Sequence, residues 1–165
     1  MDSSKILVLK NRMIDYYNGD PRRVNHFLKV YSFAGIIGEN EELKDDKLEI
    51  LKAAALVHDI GIRESEKKYG SCNGKQQEIE GPPVAEEMLK EIGFEKEFID
   101  RVCFMVGHHH TYLAIDDTDF QILVEADFLV NFFEDNMSKE SIETCKNKIF
   151  KTESGTKLCN VLFSK

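Results

Sequence analysis

Apolar residues recur along this chain at spacings of three and four, the period of helices that bury one face. No stretch alternates apolar and polar residues as a half-buried strand does. The opening helix carries Ile6, Leu7, Leu9, Met13 and Ile14, with Ser3 or Ser4 placed to cap it. The cluster Asn18-Gly19-Asp20-Pro21 breaks it, after which Asp20 caps a second helix with Pro21 at its first position. In that helix His26, Val30 and Ala34 follow one another at one-turn spacing on a single face. A polar connection over 38–46 leads to a third helix over about 46–58.

Residues 62–79 are rich in Lys, Glu, Gly and Ser and lack a long apolar period. They read as a surface loop with room for a short helix. Pro82-Pro83 opens the next helix, which Gly93 ends. A helix over about 95–109 aligns Ile99, Val102, Met105 and Val106, and a strongly apolar one covers 119–134. Helices over 138–151 and 155–163 close the chain. The fold class is therefore all-α, a single-domain bundle of about seven to nine helices over residues 1–165.

The third helix asks a question. Residues 51–61 read LKAAALVHDIG, an apolar run that ends on two polar side chains, His58 and Asp59, with Gly61 placed to stop it. His26 shares the face of Val30 and Ala34. His109 continues the spacing of Val102, Met105 and Val106. Asp127 stands inside LVEADFLV, where a carboxylate is costly unless paired or metal-bound. One buried histidine is ordinarily a hydrogen-bonded core residue, and one helical Asp is ordinarily paired or solvated. Five such groups aimed at one interior need a common partner. Imidazole and carboxylate together suit a divalent Mn, Fe, Co, Ni or Zn ion.

Composition narrows the partners. The net charge is -8 with no basic block, which disfavours long nucleic acid and acidic membranes. No segment has the length of a membrane span or the layout of a signal peptide, so the expected location is cytoplasmic. Cys72, Cys103, Cys145 and Cys159 form no Cys-x-x-Cys pair and read as reduced packing residues.

The contexts VNHFLKVYSFA, AAALVHDIG and LVEADFLV, in that order, make the chain resemble the HD-domain superfamily of metal-dependent phosphohydrolases. The resemblance covers roughly residues 20–135. It implies a helical bundle with His26, His58, Asp59 and Asp127 around one metal. It also implies hydrolysis of a phosphate ester, with Asp59 orienting or deprotonating the attacking water. The substrate so implied is a nucleotide or related phosphorylated small molecule.

Two segments are similar to relatives that hold a second ion. VGHHHTY at 107–113 resembles their paired histidines, with His109 inward and His108 or His110 its companion; the triplet also reads as a helix end, where His is favoured by the dipole. GPPVAEEML at 81–89 is similar to the segment after an extra histidine, but here QQEIE precedes the glycine and no histidine is present. Glu78 or Glu80 is the oxygen substitute. The cofactor expected is thus one or two divalent ions, Mg included.

Arg22, Arg23, Arg63, Lys67, Lys68 and Lys75 read either as a positive rim for a phosphate or as solvated surface. Tyr69 and Tyr112 read either as base-stacking or as packing residues. A nonhydrolytic nucleotide-binding sensor and a di-iron oxygenase are the rival functions, and a homodimer is left open.

Overall fold

The computed structural model describes residues 3–164. Among these there are nine α-helices and no strand: α1 (Ser3–Tyr16), α2 (Pro21–Asn40), α3 (Asp45–Val57), α4 (Ile62–Tyr69), α5 (Gly74–Ile92), α6 (Lys96–Val106), α7 (Thr118–Glu134), α8 (Lys139–Ile149) and α9 (Glu153–Phe163). The all-α expectation holds. The Ser3 side chain, one of the two expected caps of α1, lies outside the described residues, and Ser4 falls within the first turn.

Helix α3 is the axis of the molecule and packs against α1, α2, α6 and α7. Its residues Ala53 to Val57 are all buried, and the three consecutive alanines let neighbouring helices approach closely. Helix α2 crosses α3 and α7, while α5 lies on α6, α4 and α1. Helix α9 packs on α7, α8 and α2. Among the described residues no helix is long and apolar enough to cross a membrane, and all four cysteines are free thiols.

The expected boundaries hold where capping chemistry marks them. Asp20 accepts from the Arg23 amide ahead of Pro21. Gly93 adopts a left-handed φ of 94° and closes α5.

They fail between 58 and 83, where the expected loop holds a short helix, for which there is room, and also the first two turns of α5. Helix α4 is charged on most sides, with only Ile62 and Ser65 buried, so it carries no apolar period to read. Helix α5 starts at Gly74, two turns before the prolines. An Asn73–Gln76 capping box nucleates it there, and Pro82 and Pro83 lie inside it. Gly61 does not stop α3 through a left-handed turn, since its φ is -73°. It is required for contact: a Cβ there would lie 2.5 Å from Gln77 O and 2.7 Å from Gly81 N. On the other side, a Cβ at Gly107 would lie 3.2 Å from Pro82 Cγ. The proline-containing turn of α5 is therefore wedged between the turn after α3 and the turn after α6.

Candidate metal centre

Three helices and one turn aim polar atoms at a single point. His26 comes from the second turn of α2 and Asp127 from the middle of α7. Fully buried His58 caps α3 and Asp59 follows it. His26 Nε2 lies 3.2 Å from His58 Nε2, 3.2 Å from Asp59 Oδ2 and 3.1 Å from Asp127 Oδ1. His58 Nε2 lies 3.3 Å from Asp59 Oδ2 and 3.4 Å from Asp127 Oδ1.

The other face of each ring fixes its proton. His26 Nδ1 donates to Glu134 Oε1 at 2.9 Å, and His58 Nδ1 donates to Ala55 O at 2.8 Å. His109 Nδ1 donates to Val106 O at 2.7 Å. With Nδ1 protonated, the neutral rings turn Nε2 lone pairs inward. The His26, His58, Asp59 and Asp127 atoms that meet are then all acceptors, and only cations reconcile them. Burial opposes charge on His26, but Asp127 and Asp59 outweigh it and hold its pKa near 10. His58 is likewise raised against burial, by Asp59 and Asp127. Burial pushes both carboxyls up, yet the imidazoles, His58 foremost, pull them well below the usual range.

A divalent ion satisfies the same field. Donor atoms about 2.1 Å from one ion stand about 3.0 Å apart at octahedral angles and about 3.4 Å at tetrahedral ones. The observed 3.1–3.4 Å separations fall in that interval. The donor set therefore fits a metal.

Asp59 also faces a second group. Its Oδ1 lies 3.4 Å from His109 Nε2, and Asp59, His109 and His110 together form another cluster with metal-ligand spacing. His109 Nε2 is buried and has no hydrogen-bond partner among the described residues. His110 Nε2 donates to Gln77 Oε1 at 3.0 Å, while the Gln77 amide nitrogen is tied to Cys72 O. Burial and His109 lower the His110 pKa to about 4.

Residues 23–145 match the HD domain family profile. The chain belongs to the HD-domain family. It is also similar in structure to a predicted HD superfamily hydrolase from an uncultured Thermotogales bacterium. The two share 25% sequence identity at a TM-score of 0.66, over 98% of this chain and 85% of that one. Comparison with curated proteins found no match. For this HD domain, the family and the donor set together point to a metal-dependent hydrolase.

Several residues expected at the site stand elsewhere. Glu80 is bound by Lys68 Nζ at 2.6 Å and Tyr69 OH at 2.9 Å, so it belongs to the α4–α5 contact and to neither cluster. Glu78 accepts from Thr111 Oγ1. His108 turns back to Phe104 O at 2.7 Å and packs on the Phe104 ring, which leaves His110 as the companion of His109.

Of the basic residues read as a rim or as surface, Arg23, Arg63, Lys67 and Lys68 are engaged in internal contacts, while Arg22 lines the cleft. Arg23 lines the cleft but joins Asp20 to Glu66. Arg63 donates to Tyr16 O, and Lys67 pairs with Glu64. Tyr112 packs on Phe128. The exposed Lys75 sits in the first turn of α5.

Sequence reasoning missed Glu134, Gln77 and Tyr17. Glu134 was legible in principle, because it follows Asp127 by seven residues and so shares its face of α7. Tyr17 OH donates to Asp59 O at 2.8 Å, a tertiary contact with no local signal.

Proposed function

We propose that this HD domain hydrolyses a phosphate ester on a nucleotide or related small molecule. The observation that carries the reading is the convergence of acceptor atoms on His26, His58, Asp59 and Asp127: the two histidine Nε2 atoms lie 3.2 Å apart, and each lies within 3.4 Å of an oxygen of both carboxylates. A divalent ion held there supplies Lewis acidity, acidifying water and drawing charge from phosphoryl oxygens.

The chain supplies the rest. Glu134 and the Ala55 carbonyl hold the His26 and His58 rings in their Nε2-inward orientation. Asp59 Oδ1, turned away from His26, is the atom that takes a proton from the attacking water. His109 Nε2 stands 3.4 Å behind it. A cleft of about 300 Å³ opens onto His26 and Asp59, and Met13, Phe27, Leu56 and Ile62 on its wall limit water around the ester.

The test is elemental analysis of the purified protein together with a phosphate-release screen over nucleotides and other phosphate esters. Bound divalent metal, and release that a chelator stops and added metal restores, are expected. Metal-independent release, or metal with no release from any ester, overturns the reading.

The second cluster favours a two-ion form of the same chemistry. His109→Ala is expected to lower the metal content from two equivalents to one. One equivalent in both proteins would mean that the enzyme works with a single ion. Glu134→Gln is expected to weaken metal binding about 10- to 100-fold, because the amide holds His26 less firmly than the carboxylate. Titration calorimetry on the metal-free protein reads this, and unchanged affinity would show that packing alone orients the ring.

A further inference from the structure

We infer that the cleft selects phosphate monoesters with an uncharged or cationic body and discriminates against polyphosphates. The inference rests on the hydrolase reading and concerns the charge its cleft accepts.

The lining residues carry an unusual balance for a phosphate site. Asp59, Glu134 and Asp135 line the cleft, and Asp127 lies just behind His26. Asp59 and Asp127 face the centre, where a divalent ion would offset them. Beyond the centre, cationic charge is scarce. Of the two lining arginines, Arg23 is held by Asp20 at 2.8 Å and by Glu66 at 2.7 Å, so its charge is already answered. Lys29, just outside the lining, is held by Glu134 at 3.2 Å.

Arg22 is left. It is exposed at the mouth, one turn before His26, and has no ion pair among the described residues. Asp135, which ends α7, lines the same cleft, is also exposed and likewise has no ion pair among the described residues. The mouth of the cleft is thus one cation against one anion.

A single phosphate at the centre meets the metal-ligand cluster and leaves its ester body between Arg22 and Asp135, where no net charge is favoured. A second or third phosphate would meet Asp135, the lining acid outside the centre that has no ion pair among the described residues, with only Arg22 to receive it. Unanswered like charges at a site of this kind are a source of specificity, since they act against the competitor more than for the substrate. Size acts in the same direction. A cleft of about 300 Å³ suits one phosphate and a compact body rather than an extended polyphosphate chain.

The experiment compares kcat/KM for adenosine mono-, di- and triphosphate at low and high salt, with p-nitrophenyl phosphate and phosphocholine as neutral- and cationic-bodied monoesters. The monophosphate is expected to exceed the triphosphate by about tenfold or more at low salt, with the gap narrowing as salt screens the mouth. Both compact monoesters should be cleaved. In Asp135→Lys the ratio of triphosphate to monophosphate kcat/KM should rise several-fold, whereas an acidic residue with only a structural role would leave that ratio where it was. Equal or faster cleavage of the triphosphate by the unaltered protein overturns the selectivity and leaves the hydrolase reading standing. No release from any compound overturns the hydrolase reading, and the selectivity falls with it.

Discussion

Asp59→Ala is expected to reduce phosphate release by at least about 10³-fold, equivalent to roughly 4 kcal/mol of transition-state stabilisation. Asp59 is the residue shared by both clusters: Oδ2 stands 3.2 Å from His26 Nε2 and Oδ1 stands 3.4 Å from His109 Nε2. The substitution therefore removes one ligand from the first group, one from the second, and the acceptor proposed for the proton of water. It leaves the backbone carbonyl that receives the Tyr17 hydroxyl, so the turn after α3 keeps its anchor. Asp59→Asn separates shape from charge, since the amide fills the same space without the negative charge. Release per bound metal and the thermal midpoint should be measured on all three proteins. Full activity of the alanine protein at matched metal content would remove Asp59 from the mechanism.

Glu125→Ala is expected to destabilise the fold by about 3 kcal/mol, a fall of roughly 6–12 °C in Tm for a chain of this size. Glu125 is fully buried two residues before Asp127, yet on another face of α7 it serves the start of α9 rather than the metal centre. It accepts from the amides of Lys151 and Thr152, from the Thr152 hydroxyl and from the Gln121 side chain. Thr152 in turn caps α9. Alanine would leave the Lys151 and Thr152 donors without this acceptor, and would remove the polar tie between α7 and the start of α9. Glu125→Gln should cost less, because an amide oxygen still accepts some of these bonds. A Tm unchanged in the alanine protein would show that apolar contacts, such as the Phe132–Phe163 rings, hold the C-terminal helix unaided.

Legibility in the sequence followed the range of the interactions involved. His26 and Asp127 could be read because each interrupts an apolar helical face, and His58-Asp59 because a helix with a fully buried last turn runs into them. Those signals are local, and they carried the helix count, the class and the four converging residues. The second region failed for the opposite reason. Helix α4 is held by Arg23–Glu66 and Lys68–Glu80, pairs 43 and 12 residues apart in the chain, and by the Gly61–Gly81 approach. None of these leaves a periodic trace. The basic residues stayed open between two readings for the same cause: a charge along the sequence says nothing of whether an acid elsewhere already answers it. Gln77 shows a third case. Its lack of a charge made it silent, but its side chain lies between His110 and Cys72.

The Tyr17–Asp59 hydrogen bond bears on where this protein is cut. The family match begins at residue 23, beyond the whole of α1, although Met13 and Tyr17 line the cleft and Tyr17 grips the peptide of Asp59. A chain trimmed to the recognisable segment would keep all four converging side chains and lose one wall of the chamber around them. The working unit is larger than the stretch that sequence comparison delimits. Recombinant boundaries, fusion points and any chimaera built with a relative should therefore start ahead of α1.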